Sequence, residues 1–167
     1  MAFISISITK NHPLILGKGG FGRQLADWLS AEGWGEAEFL DDSAPGCVGG
    51  LRDYADPKLL EPGRPAFVAL GDNALRVELL QKLAAAGYDT PVFISDMAAV
   101  SPSAVLEPGC VILPQAYVGA DAHLGVGCII DGGAIVDHDA VLGRGVHVAP
   151  GGIVKAGAEV EALTKVD

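Results

Sequence analysis

From Val100 onward, an apolar residue occupies every sixth position: Val100, Leu106, Ile112, Val118, Leu124, Ile130, Val136, Leu142, Val148, Val154, Val160 and Val166. All twelve sites of this register are filled. Half of the residues are hydrophobic, so chance fills twelve sites roughly once in 4,000 trials, or about once in 700 across six registers. The residue four places further on is almost always small: Ala104, Cys110, Ala116, Ala122, Cys128, Ala134 and Ala140, then Val146, Gly152, Ala158 and Thr164. A period of six fits neither the 3.6 of an amphipathic helix nor a hairpin sandwich with irregular turns. It fits a solenoid of very short strands built from hexapeptides, a parallel β-helix. Eleven full hexads run from Val100 to Lys165. At three hexads per coil they give about 3.7 coils and a prism ~18 Å tall.

The first 96 residues follow a different pattern. Pro13–Leu16 is a short apolar run that leads into Gly17-Lys18-Gly19-Gly20-Phe21-Gly22. Arg23 to about Glu32 has helical spacing, with Leu25, Trp28 and Leu29 on one face, and Gly33 ends it. Glu38–Leu40 predicts a second strand, Phe67–Leu70 a third and Val92–Ile94 a fourth. A second helix is predicted over Ala74–Ala86, stopped by Gly87. Strands alternating with helices imply a parallel sheet with helices on both faces, about half of a doubly wound α/β fold. The chain of 167 residues is therefore expected to hold two small domains, 1–96 and 97–167, with the boundary near Ser95–Ser101.

Composition narrows the partners. A net charge of −10 argues against nucleic acid and anionic membrane, which require basic patches. No apolar run reaches the ~18–20 residues of a membrane span. The N-terminus has no basic start, long apolar stretch or small-residue cleavage site, so a cytoplasmic location is expected. The three cysteines, Cys47, Cys110 and Cys128, do not make a secreted disulfide framework. Cys110 and Cys128 share the small position of their hexads and are expected to stack, buried, in adjacent coils. No third ligand joins them, so no metal site is expected.

Two constellations carry chemistry. The glycine run stands between a strand and a helix, where glycines permit close backbone approach and the helix N-terminus offers free N–H groups to a phosphate. Asp41 lies at the end of the next strand, where a carboxylate can accept ribose hydroxyls. The alternatives are NAD, disfavoured because the second mononucleotide half is absent, and a tight turn with no ligand. The second constellation is Asp137-His138-Asp139. His138 occupies a hexad position filled elsewhere, Arg144 apart, by proline, alanine, valine or glycine. An imidazole of ordinary pKa ~6.5 can act as a general base, and a neighbouring carboxylate orients it and raises its basicity. His147 follows half a coil later. His12 and His123 read as surface residues.

Leu16–Gly22, Phe39–Asp42, Ala69–Asn73 with Arg76, Ser101–Ala104, and Ile135–Gly143 followed by Val146–Val148 together resemble the nucleotide-amino-sugar N-acetyltransferases and sialic-acid O-acetyltransferase-like proteins. The resemblance spans residues 14–153. It implies a Rossmann-like nucleotide-sugar domain followed by a left-handed β-helix that transfers acetyl from acetyl-CoA. It implies that His138 is the base for the attacking amine and that Asp139 increases its basicity. Asp131 and Asp137 would line the same pocket, and His147 would contact acetyl-CoA. Gly19, Gly20, Phe21, Asp41, Asp42 and Gly71 would hold the nucleotide-sugar. It also implies a homotrimer with sites in the grooves between neighbouring β-helices, and no metal. The expected activity is acetylation of the amino group of a nucleotide-linked amino sugar, in surface-polysaccharide or glycan precursor synthesis. Sugar O-acetylation and a non-catalytic nucleotide-sugar-binding or assembly module are the alternatives. Relatives of this kind continue for several more coils that grip the coenzyme, whereas this chain stops at Asp167. Weak coenzyme binding is the expectation that follows.

Overall fold

The computed structural model describes residues 12–167. Leu14, Ile15 and Leu16 are apolar in succession, so a strand made from them must be covered on both faces. That strand, β1 (Leu14–Leu16), is central in a parallel sheet, flanked by β2 (Glu38–Leu40) and β3 (Ala66–Val68) in the order β2-β1-β3. Parallel neighbours need crossovers. Helix α1 (Gly20–Ala31) follows β1, and α2 (Asn73–Ala86) follows β3. Leu14, Leu16 and Val68 pack with Leu79, Leu80 and Leu83 of α2. Ile15 and Phe67 face the other way, onto Leu25 and Leu29 of α1. Helix α1 starts three residues ahead of its predicted Arg23, so the second half of the glycine run forms its first turn.

The rest is a parallel solenoid of two-residue strands, from β4 (Phe93–Ile94) to β16 (Lys165–Val166), in about four turns. Val111, Ile129, His147 and Lys165 are successive partners, 18 residues apart, so three hexads make one coil. All twelve residues of the apolar register, with the small residues of the hexads, build the inner core. From Gly109 to Leu163 the fourth residue of every hexad has positive φ, between 56° and 74°. This left-handed residue turns each corner. Glycine fills most of these sites, while Gln115, Asp121, Asp139 and Leu163 take the rest.

The three faces differ on the outside. The first carries Phe93, Val111, Ile129, His147 and Lys165, and the N-terminal part covers its start, with Phe93, Val111 and Leu113 packed against Ile15, Leu25, Leu29 and Phe67. The second carries Ala99, Tyr117, Ile135 and Ile153, and the third Val105, His123, Val141 and Glu159. Helix α2 seals the corner between the third and first faces. A Cβ placed on Gly109, Gly127 or Gly145 would come within 2.7 Å of Leu80 or Val77, so only glycine lets the helix approach there. Inside that corner, Cys110 and Cys128 are fully buried in adjacent coils, and their thiols donate to the carbonyls of Gly125 and Gly143.

One expected strand has changed sheets. Phe93–Ile94, predicted as the fourth strand of the N-terminal sheet, pairs with Val111–Ile112 as the first rung of the solenoid. Ile94 stands six residues before Val100 and Val92 six before Ala98. The hexad register therefore extends back through this segment, and Val92 packs on the solenoid core.

Candidate active site

His138 sits on the corner between the second and third faces. Its main chain is locked into the ladder, because the Asp139 N–H donates to Ala120 O one coil below and the Gly157 N–H one coil above donates to His138 O. Asp139 is the left-handed turn residue, with φ of 58°, a conformation that aspartate tolerates. That turn brings its Oδ2 to 2.6 Å from His138 Nδ1. The Asp137 carboxylate accepts from the His138 N–H at 2.8 Å. The hydrogen bond with Asp139 and the charge of Asp137 hold the imidazole above the ordinary histidine value. The ring stands exposed, and its second nitrogen has no partner among the described residues. Such an imidazole can accept a proton from a nucleophile.

A second pair occupies the preceding corner, between the first and second faces. His147 Nε2 lies 3.4 Å from Asp131 Oδ2, and both side chains are mostly buried, at 16% and 14% exposure. Burial pushes the Asp131 carboxyl up, but hydrogen bonds from His147 and from the Gly132 N–H outweigh it and hold the carboxyl below its ordinary value. No hydrogen bond joins this pair to His138 among the described residues. In a three-sided prism, the His138 corner is opposite the first face, on which the N-terminal part packs. One chain therefore places Asp131 and His147 beside the first face and His138 on the far side.

In the N-terminal part the glycine run divides into two kinds. A Cβ on Gly17 would lie 2.7 Å from Ala69 O, and one on Gly22 would lie within 2 Å of Gly17 O. Those two glycines are demanded by packing. A Cβ on Gly19, Gly20 or Gly71 meets nothing within 4 Å, so the protein itself does not require glycine there. Gly19 caps α1 without a side-chain hydrogen bond, and the first turn contains no acidic residue. The open glycines thus border an uncovered helix N-terminus at the carboxyl ends of β1 and β3. That is the switch point of the 2-1-3 sheet order, where α/β folds bind ligands.

Asp41 is already engaged. Its Oδ2 accepts from the Lys18 N–H, and its Oδ1 accepts from the N–H groups of Ser43 and Ala44, at 2.8–2.9 Å. These main-chain donors pull its pKa down to about 2. Asp42 spends one oxygen on the Leu51 N–H at 2.8 Å and keeps the other free among the described residues. The Lys18 ammonium donates to the carbonyls of Pro45 and Gly46 and lies 5.3 Å above the Phe39 ring. Lys18 and Asp41 together brace the crevice rim, which sequence reading did not anticipate for Lys18. A cavity of about 630 Å³ elsewhere, along the outer edge of β2 and lined by Glu38, Phe39, Lys58, Glu61 and Arg64, holds none of the predicted site residues. Among the described residues, no helix is long and apolar enough to cross a membrane, and no group of three His, Cys, Asp or Glu side chains could hold a metal ion.

Comparison with known proteins agrees with this architecture. Residues 14–83 match the PglD N-terminal domain family. A search of curated protein sequences gives no match. Among solved structures, the acetyltransferase domain of PglB from Neisseria gonorrhoeae is 31% identical, over 93% of this chain and 84% of that one, with a TM-score of 0.80. The same domain has been solved with acetyl coenzyme A, at 30% identity and a TM-score of 0.76, over 94% of this chain and 84% of that one. A histidine-to-asparagine mutant of perosamine N-acetyltransferase from Caulobacter crescentus, solved with CoA and GDP-perosamine, is 31% identical over 92% of this chain and 76% of that one, with a TM-score of 0.83. Identity at this level over most of both chains, joined to the same two-part fold, places the protein in the family of nucleotide-amino-sugar acetyltransferases.

Proposed function

We propose that the protein transfers acetyl from acetyl-CoA to the amino group of a nucleotide-linked amino sugar, with His138 as general base. The observation that carries this reading is the exposed imidazole held 2.6 Å from Asp139 on a rigid corner. The sugar amine attacks the thioester carbonyl, a C–N bond forms and the C–S bond breaks. His138 takes the proton released by the attacking nitrogen, and the CoA thiolate leaves. A base of this kind contributes typically 10²–10⁴-fold. The N-terminal sheet and its helices hold the nucleotide, with Gly19, Gly20, Phe21 and Gly71 at the phosphates and the free oxygen of Asp42 directed to the ligand. The solenoid carries out the acetyl transfer.

The site is completed between copies in a homotrimer. The second face exposes Tyr117, Ile135 and Ile153, at 43%, 37% and 57%, an apolar ladder of the kind that association buries. This face is bordered by the Asp131–His147 corner on one side and the His138 corner on the other. A threefold ring with these faces inward sets His138 and Asp137 of one copy against Asp131 and His147 of a neighbouring copy. The arrangement removes the difficulty that a single chain places its nucleotide crevice and His138 on opposite sides.

Release of CoA thiol in the presence of nucleotide-linked amino sugars tests the reading. Turnover is expected with a free-amine sugar and none with its N-acetylated product. Turnover confined to sugars lacking an amine, or none with any nucleotide sugar, would overturn it.

A further inference from the structure

Arg76 is a fully buried cation whose four hydrogen bonds, each of 2.8 Å, all end on neutral acceptors. Its Nε donates to Gly127 O, Nη1 to Leu70 O, and Nη2 to both Asn73 Oδ1 and Gly145 O. Burial lowers its pKa to about 10, which leaves it charged at neutral pH. Burying a cation without a carboxylate partner is costly.

The surroundings explain why a donor is needed. Helix α2 seals this corner of the solenoid, so the outward carbonyls of Gly127 and Gly145 are cut off from water and must be paired. Neutral donors could satisfy them. What the planar guanidinium adds is a rigid fork that reaches three elements at once. These are the Leu70–Gly71 loop that walls the crevice, the first residue of α2, and two successive coils of the prism. Gly145 lies on the corner next after His138, in the same coil. Asn73 makes a parallel strap, its Nδ2 donating to Leu163 O at 2.8 Å.

We propose that Arg76 is a positioning residue that fixes the nucleotide crevice in register with the solenoid coil carrying His138. The proposal rests on the acetyltransferase reading above. Nucleotide contacts are local to the β1–β3 end, whereas delivery of the sugar amine depends on the placement of that end against the prism. Misplacement by about 1 Å can cost on the order of 10²-fold in rate.

The test compares Arg76→Lys and Asn73→Ala with Leu83→Ala, a core change at the far end of α2 that serves as the stability control. Nucleoside diphosphate affinity is measured by calorimetry, kinetics well below each Tm, and amide exchange by mass spectrometry. For Arg76→Lys, kcat should fall at least ~10-fold, while KM for acetyl-CoA and the nucleotide Kd each move less than about threefold and the pH midpoint of kcat/KM is unchanged. Asn73→Ala should lower kcat about threefold, and it decides the matter if Arg76→Lys does not fold. Leu83→Ala should lose Tm with kcat intact. Unchanged kcat in the folded Arg76 or Asn73 variant, or an equal fall in Leu83→Ala, would overturn the proposal. If the unaltered protein turns over no nucleotide amino sugar, the functional reading fails, and exchange at residues 69–72 decides the link. Exchange there should be at least ~10-fold faster in the Arg76 or Asn73 variant than in Leu83→Ala, and equal protection would refute it.

Discussion

Replacing Asp41 by asparagine should loosen the crevice rim and change how stability depends on pH. The carboxylate accepts three main-chain N–H bonds, from Lys18, Ser43 and Ala44, and its pKa falls from 3.8 to about 2. At about 1.36 kcal/mol for each tenfold change in acidity, that fall is equivalent to about 2.4 kcal/mol. Asp41 is partly exposed, so solvent screening reduces this to about 1–1.5 kcal/mol. A carboxyl whose folded pKa is depressed contributes stability above its unfolded pKa and loses it as the pH falls through the folded value. The Asp41→Asn variant should therefore be less stable by about 1–1.5 kcal/mol at pH 7, and the difference should close between pH 5 and pH 2. Urea unfolding at pH 7, 5, 3 and 2, followed by circular dichroism, measures it. Nucleotide affinity should fall too, because the Lys18 amide and the glycine turn lose their anchor. Equal stability of the two proteins at pH 7 would refute the reasoning. So would a deficit that persists unchanged at pH 2.

His138→Ala should lower acetyl transfer at least ~10²-fold and leave nucleotide binding intact, measured by thiol release and calorimetry. Asp139→Asn keeps the left-handed turn but removes the charge, so the acid limb of the kcat/KM profile should move to lower pH with a smaller rate loss; an unmoved limb would remove Asp139 from the base. Gly20→Val should fold normally but bind nucleotide at least ~10-fold more weakly, whereas Gly22→Ala should lose stability outright because its Cβ collides with Gly17 O; thermal melts with calorimetry separate the two. Ile135→Asp places a charge on the apolar second face and should dissociate the proposed trimer in sedimentation, while an assembly unaltered by the change would refute an interface on that face.

The solenoid was legible because its physics is local. One inward apolar position per six residues, with a small residue four places on, marks every coil. The contact of His138 with Asp139 was legible because the two are adjacent and an imidazole is uncommon at that hexad position. The strand Phe93–Ile94 was misplaced because βα alternation and the hexad register both fit it, and only its pairing with Val111–Ile112 decides between them. Crevice geometry was legible in outline, through the glycines and α1. The engagement of Asp41 was not, because main-chain donors leave no trace in residue identities. Arg76 was visible only as part of a motif. Its partners in the solenoid are carbonyls 51 and 69 residues away, and carbonyls belong to every residue alike.

The 18-residue spacing of the coils has an arithmetical consequence for how such a chain can change. The His138 corner is tied by main-chain hydrogen bonds to the coils directly below and above it, through Ala120 and Gly157. Inserting 18 residues between Gly145 and Leu163 would add a storey and leave the His138 corner undisturbed. Inserting six between Gly127 and His138 would keep every apolar residue inward yet turn His138 by a third of a revolution, towards the corner that α2 already occupies. Inserting one would send the inward set outward and collapse the ladder. Length variation compatible with the site is therefore quantised in whole coils. A smaller step that still folds would report on which corner the chemistry uses.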